Sequence, residues 1–149
     1  VVIDERRRFT YPPDALTRLV ADVRTYPDFI PWVKSLTLKL EDADGEAWTG
    51  RAVALVGWKS FLERFETRVR SDPAQGLVDV SLISGPFRVL ENKWRFQADG
   101  QGGALVRFWI KYQFKNPVLQ AAATANRTLA ANKIIAAFEQ EAARRFGVG

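Results

Sequence analysis

The side chains that most often break bonds in enzymes are missing from this sequence. The chain contains neither His nor Cys. That excludes Ser-His-Asp and Cys-His nucleophilic chemistry, zinc sites of the usual ligand sets and thiol redox work. Carboxylates, Lys and Tyr remain. Glu63 and Glu66 are three residues apart in an alternating segment, so they project from opposite faces of a strand and cannot act as an acid/base pair across one substrate. Gly100-Gln101-Gly102-Gly103 is a glycine-rich turn with no helix after it, so the context of a phosphate-binding loop is absent. The chain reads as a non-enzyme that requires no cofactor and holds no metal.

Binding chemistry is better represented. Phe61, Phe65, Trp94, Phe96, Phe108, Tyr112 and Phe114 share one parity within their segments, which puts them on the covered face of a sheet. Glu63 and Thr67 share the face of Phe61 and Phe65. A polar group among aromatics needs a partner, either the headgroup of a ligand or water at a strand end. The opposite parity carries Arg51, Arg64, Arg68, Arg70, Lys93, Arg95, Arg107 and Lys111, with Trp109 among them. The net charge is +5 and the pI is near 9.8. Such a face suits phosphate contact and base stacking on RNA, an anionic lipid surface, or solvation alone.

The elements that position these residues follow from periodicity. Val1 to Thr10 is extended and charged, a first strand. Pro13 and Asp14 suit a first helical turn, and Leu16, Leu19, Val20 and Val23 recur at helical spacing to about Arg24. Tyr26 to Trp32 reads YPDFIPW. Its two prolines limit it to a single turn, and its large apolar side chains either plug the end of a core or form the lip of a pocket. From Ser35 to Phe114 the period is two, giving six strands in a meander with turns at Asp44-Gly45, Asp72 to Gly76, Ser84-Gly85-Pro86 and Asp99 to Gly103. With the first strand the sheet has seven, antiparallel, one face covered and one wet.

The last segment, Asn116 to Gly147, opens with a capping Asn and a Pro and reads as one unbroken helix of roughly 45 Å. Ile135, Phe138, Ala142 and Phe146 form an apolar stripe, whereas Leu119 to Asn132 is mainly Ala, Thr and Asn. A helix about 10 Å wide cannot cover seven strands about 4.8 Å apart, so the sheet must curl around it or leave a cavity. The chain reads as one domain over residues 1–149. The apolar runs are too short to span a membrane, and the absence of any Met gives the expectation that the natural start lies upstream.

Three stretches carry a family resemblance. Leu19 to Ser35, LVADVRTYPDFIPWVKS, resembles a V-x-D-V-x-x-Y-P-x-F-x-P-W signature. Leu82 to Phe96, LISGPFRVLENKWRF, is similar to a G-P-F-x-x-L-x-x-x-W-x-F pattern. Val106 to Gln120, VRFWIKYQFKNPVLQ, resembles a strand running into the final helix through Asn-Pro. Together they are similar to the coenzyme Q-binding and ribosome association toxin family of START-like, polyketide cyclase-like domains. The resemblance implies an α+β helix-grip fold, with a curved seven-stranded antiparallel sheet wrapped around a long C-terminal helix and one or two short helices after the first strand.

It also implies a hydrophobic cavity that holds ubiquinone or a related polyprenyl lipid as bound ligand, in support of respiratory electron transfer. The implied walls and lip are Phe29, Pro31, Trp32, Trp58, Phe61, Phe65, Phe87, Trp94, Phe96, Phe108 and Tyr112, with Ala122, Asn126 and Leu129 as roof and Glu63 and Thr67 as polar contacts. The implied partners are a hydrophobic small molecule, an anionic membrane surface and, in the family's other branch, the large ribosomal subunit, whose association with the small subunit would be inhibited. The implied location is cytoplasmic, peripheral at the bacterial inner membrane, or at the mitochondrial inner membrane in a eukaryote. A polyketide cyclase or dehydratase activity is the remaining alternative.

Overall fold

The structure, a computed structural model, describes residues 1–58 and 61–147, and of Trp58 only the backbone. β1 (Val2–Phe9) is followed by α1 (Pro13–Ala21), a 3-10 turn (Val23–Thr25) and the single-turn helix α2 (Tyr26–Phe29). Six strands come next: β2 (Val33–Asp44), β3 (Ala47–Trp58), β4 (Phe61–Asp72), β5 (Leu77–Ser84), β6 (Phe87–Ala98) and β7 (Ala104–Phe114). The chain then forms α3 (Pro117–Ala125) and α4 (Arg127–Phe146).

The seven strands form one sheet in the order β1-β7-β6-β5-β4-β3-β2, and each pair is antiparallel. Sequential hairpins account for every pairing except β1 with β7, which runs from Val2 opposite Lys111 to Phe9 opposite Ala104. The β2–β3 ribbon has register shifts between Val33 and Ser35 and between Leu40 and Asp42, and β3 is small on its inner side at Gly50, Ala52 and Ala54. Gly50 there faces Leu40, and a Cβ on it would stand 2.7 Å from the Lys39 carbonyl oxygen. Gly76 closes the β4–β5 turn at φ +62, a left-handed conformation that glycine adopts freely, and its carbonyl accepts a hydrogen bond from Phe96 N at 2.8 Å.

The core lies where α1, α2 and α4 cross the concave face. Leu16, Leu19 and Val20 of α1 pack with Val69 and Val78 of the sheet, all nearly inaccessible. Phe138 of α4 is the hub, with ring centroids 5.0 Å from Trp94, 5.3 Å from Tyr26 and 5.4 Å from Phe29. Burial pushes the Tyr26 phenol well above its ordinary range, and the protonated hydroxyl donates to the Val20 carbonyl.

The C-terminal helix is broken at Asn126, against the expectation of one unbroken rod. Asn116 caps α3 through Oδ1, which accepts from Val118 N at 2.8 Å. At Asn126 the backbone leaves helical geometry (φ −109, ψ 15), and Nδ2 donates back to the Ala122 carbonyl at 2.8 Å. An Asn that bonds locally in this way competes with helix continuation, a tendency that apolar periodicity does not report.

The far end of α4 is held by charge. Glu141 is buried and accepts from Arg144 Nε at 2.9 Å and Arg145 Nε at 3.0 Å. Arg145 also reaches Thr25 Oγ1 at 2.8 Å, tying α4 to the segment after α1. The Arg144 hydrogen bonds, then those of Arg145, hold the Glu141 carboxyl below the usual Glu range. A lowered folded-state pKa contributes stability that is complete above the unfolded value of about 4.3 and is lost as pH falls through the folded value. Glu141→Gln is therefore expected to cost about 1–3 kcal/mol at neutral pH. Thermal unfolding of both proteins at pH 7 and at pH 3 should show the gap closing in acid.

Candidate functional site

Strand register decides which side chains meet on the concave face. Phe65 lies opposite Ala54, Glu63 opposite Val56, and Thr67 between Ala52 and Leu82. Tyr112 lies opposite Leu90, and Phe87 opposite Phe114. The rings form a chain, with centroids 5.5 Å apart from Phe65 to Phe87, 4.5 Å from Phe87 to Phe114 and 6.1 Å from Phe114 to Tyr112. The bulge between Phe87 and Val89 brings Phe87 into this row.

The concave face divides into two halves. Trp94, Phe96 and Phe108, expected in a cavity wall, are buried in the packed core. Toward the other end, Phe61, Glu63, Phe65, Leu82, Phe87, Leu90 and Phe114 are only partly buried although they face inward. A filled core would exclude water from such positions. We take these partly open residues, apolar apart from Glu63, as the floor of a groove.

α3 packs against β7, on one side of this groove. Leu119 is buried, Ala122 and Ala123 are half-buried, and Tyr112 Oη donates to the Ala123 carbonyl at 3.3 Å, joining β7 to α3. Burial raises the Tyr112 pKa, so the phenol stays a donor. The methyl side chains of Ala122 and Ala123 leave the roof thin.

Two expected roof residues lie elsewhere. Asn126 is exposed and engaged with the Ala122 carbonyl. Leu129 is 54% exposed. It precedes the buried Ala131 by two residues, about 200° around a helix of 3.6 residues per turn, and so points away from the sheet. Part of the YPDFIPW stretch plugs the core, one of the two roles expected of it. Ile30 is buried and Phe29 packs on Tyr26 and Phe138, whereas Pro31 is exposed and Trp32 half-buried at the edge. Trp32 O accepts from Gly57 N at 2.9 Å, fixing that edge to β3. The Trp58 side chain, expected at the lip, lies outside the described residues.

Of the polar candidates, Thr67 is 4% exposed and Glu63 half-exposed, both on the concave face. Glu66 points to the convex face, where it pairs with Arg51 at 3.6 Å, so the two glutamates are indeed on opposite sides. Leu82, Leu90, Leu119 and Ala123 were not anticipated at the site. Parity would have placed Leu82. Leu90 keeps the parity of Trp94 in an unbroken register, so parity would have placed it too.

The convex face carries the charge, much of it paired. Arg107 forms a bidentate pair with Asp4 at 2.9 and 2.7 Å, whose hydrogen bonds hold the Asp4 carboxyl below its usual range. Arg95 pairs with Asp79 at 2.7 Å, and Lys93 Nζ sits 5.5 Å from the Trp109 ring centroid. These four (Lys93, Arg95, Arg107 and Trp109) enclose a shallow cup of about 260 Å³. Arg64, Arg70 and Lys111 are exposed and outside the ion pairs of the described residues.

The family model described as polyketide cyclase/dehydrase and lipid transport matches residues 9–139. The ribosome association toxin RatA of Pseudomonas aeruginosa is 33% identical over 137 residues, covering 92% of each chain. The mitochondrial coenzyme Q-binding protein COQ10 homolog B of Xenopus laevis is 26% identical over 133 residues, covering 87% of this chain and 52% of that one. The solution structure of the 18 kDa protein CC1736 from Caulobacter crescentus superposes with a TM-score of 0.82 at 39% identity, over 99% of both chains.

Proposed function

Because the chain belongs to the polyketide cyclase/dehydrase and lipid transport family, we propose that the groove under α3 binds the isoprenoid tail of a quinone or related polyprenyl lipid without transforming it. The observation that carries this reading is the row of inward-facing apolar side chains, Phe61, Phe65, Leu82, Phe87, Leu90 and Phe114, left partly open to water. An apolar chain laid along them would gain about 0.8 kcal/mol per buried methylene, so a few isoprene units suffice for useful affinity after the cost of association. Thr67 and Glu63 supply hydrogen-bonding groups for a quinone head. Ubiquinone itself carries the redox chemistry, and the absence of His and Cys is compatible with a passive carrier. A COQ10 homolog among the relatives supports the same ligand class.

On this reading the protein works against the membrane that stores the quinone, the bacterial or mitochondrial inner membrane. Val118, exposed on α3 beside the groove, would face it. The test is organic extraction of the purified protein followed by mass spectrometry. A polyprenyl quinone or lipid near one per chain is expected. A lipid-free protein that also fails to take up added quinone would refute the proposal.

A second reading is favoured by the relatives named as ribosome association toxins and by the unpaired cations of the convex face. Here the convex face contacts the phosphate backbone of the large ribosomal subunit. Co-sedimentation with purified large subunits is the measurement, and binding that vanishes at physiological salt would exclude it. A cyclase or dehydratase activity remains within the family's range, but the concave face presents only Glu63 and Tyr112 as titratable candidates among the groove residues discussed.

A further inference from the structure

A second pocket lies at the opposite end of the concave face, between the C-terminal end of α1 and the β2–β3 ribbon. It is a half-open depression of about 370 Å³, with Ala21, Leu38, Leu40 and Trp48 as apolar wall. Ser71 of β4 is part of its lining. Along β4, Ser71 is six residues beyond Phe65, about 20 Å at 3.3 Å per residue, so this pocket is separate from the groove under α3.

Ser71 is anomalous. It is 1% exposed, and among the described residues its Oγ is the one buried side-chain oxygen or nitrogen without a hydrogen-bond partner. A buried hydroxyl in that state costs about 1–3 kcal/mol, and native structures seldom retain one without a reason. Its cross-strand neighbours are Trp48 and Val78.

The charges at the mouth are mostly committed. Arg18 is engaged by Asp14 at 2.9 Å and Glu46 at 2.6 Å, and Asp22 by Arg145 at 3.5 Å. Arg24 is exposed and lies outside the ion pairs of the described residues. The pocket therefore offers a buried hydroxyl, a flat apolar wall that includes an indole, and a free guanidinium at the rim. Its volume is at the lower end for small-molecule sites, too small for a polyprenyl chain.

We infer that this pocket binds a monocyclic aromatic carboxylate bearing a phenolic or carbonyl oxygen. The ring lies against Trp48 and Leu38, the oxygen completes the hydrogen bond of Ser71, and the carboxylate pairs with Arg24. The site is independent of the groove under α3 and of what that groove holds.

The test uses the full chain and two probes, 4-hydroxybenzoate and benzoate, titrated by calorimetry and by the shift of the Trp48 indole resonance. In the wild type, 4-hydroxybenzoate should bind about tenfold tighter, the value of one hydrogen bond to an otherwise unpartnered group. In Ser71→Ala that preference should vanish, and in Arg24→Gln both probes should weaken by a common factor of about three to ten. Without ligand, Ser71→Ala should unfold at the same or a higher temperature, since it removes an unpaired hydroxyl. Ala122→Trp, in the other site, should leave both titrations unchanged. Equal affinity of the two probes in the wild type, a preference that survives Ser71→Ala, no binding of either at millimolar concentration, or a lowered melting temperature for Ser71→Ala would each overturn the inference.

Discussion

Replacing Ala122 by Trp is expected to weaken the proposed lipid binding by between tenfold and a hundredfold while the protein still folds. Ala122 is half-buried on α3, and its methyl group leaves the groove open above the aromatic row from Phe65 to Tyr112. An indole there would occupy volume that the proposed isoprenoid tail needs. Displacing about 100 Å² of tail contact at roughly 25 cal/mol per Å² forfeits about 2.5 kcal/mol, which is between tenfold and a hundredfold in affinity. The cost to folding is smaller, because the packed core around Phe138, Trp94 and Val20 lies elsewhere and α3 keeps its Asn116 cap and the Tyr112 tether. A change in melting temperature of about 2–4 °C is expected. Quantitative extraction and titration with a short-chain ubiquinone read the first effect, and circular dichroism the second. Leu129→Trp is the control, since Leu129 points away from the sheet, and should bind as the wild type does. Unchanged lipid stoichiometry in folded Ala122→Trp would mean that the ligand, if any, does not lie under α3.

The second large effect concerns the convex face. The triple variant Arg64→Glu, Arg70→Glu, Lys111→Glu should lose at least thirtyfold in affinity for the large ribosomal subunit, if that subunit is the partner. These three were chosen because they belong to none of the ion pairs among the described residues. Reversing them removes partner contacts without unpairing a carboxylate, whereas Arg107→Glu would strand Asp4. Each lost phosphate contact should also flatten the dependence of log affinity on log salt by about one unit. Co-sedimentation over a series of salt concentrations measures both quantities. Flotation with anionic vesicles of phosphatidylglycerol separates a lipid surface from RNA. Undiminished co-sedimentation would place the ribosomal contact on another face.

Much of this was written in residue order alone. Strict alternation from Phe61 to Arg70 and from Val106 to Phe114 identifies two strands, their inner sides and the basic outer side, because side chains on a strand alternate between faces. The Asn-Pro start of α3 and the stripe from Ile135 to Phe146 were equally legible. Local backbone chemistry blurred other elements. The bulge after Phe87 breaks parity between Phe87 and the rest of β6, and the Asn126 side chain interrupts a segment with no proline or glycine to mark the break.

The sequence by itself determined the fold class, the aromatic inner face, the cationic outer face and the absence of His and Cys chemistry. All of these depend on residue type and short-range period. It could not determine which inward-facing aromatics are packed and which are open. Trp94 and Phe61 share a parity, yet one lies beneath Phe138 and the other in the groove, because that depends on where α1 and α4 cross the sheet. Nor could it show that Leu129 faces outward or that Ser71 is buried without a partner, since both depend on how whole elements meet. Periodicity assigns a side chain to a face. Only the tertiary arrangement decides whether that face is filled.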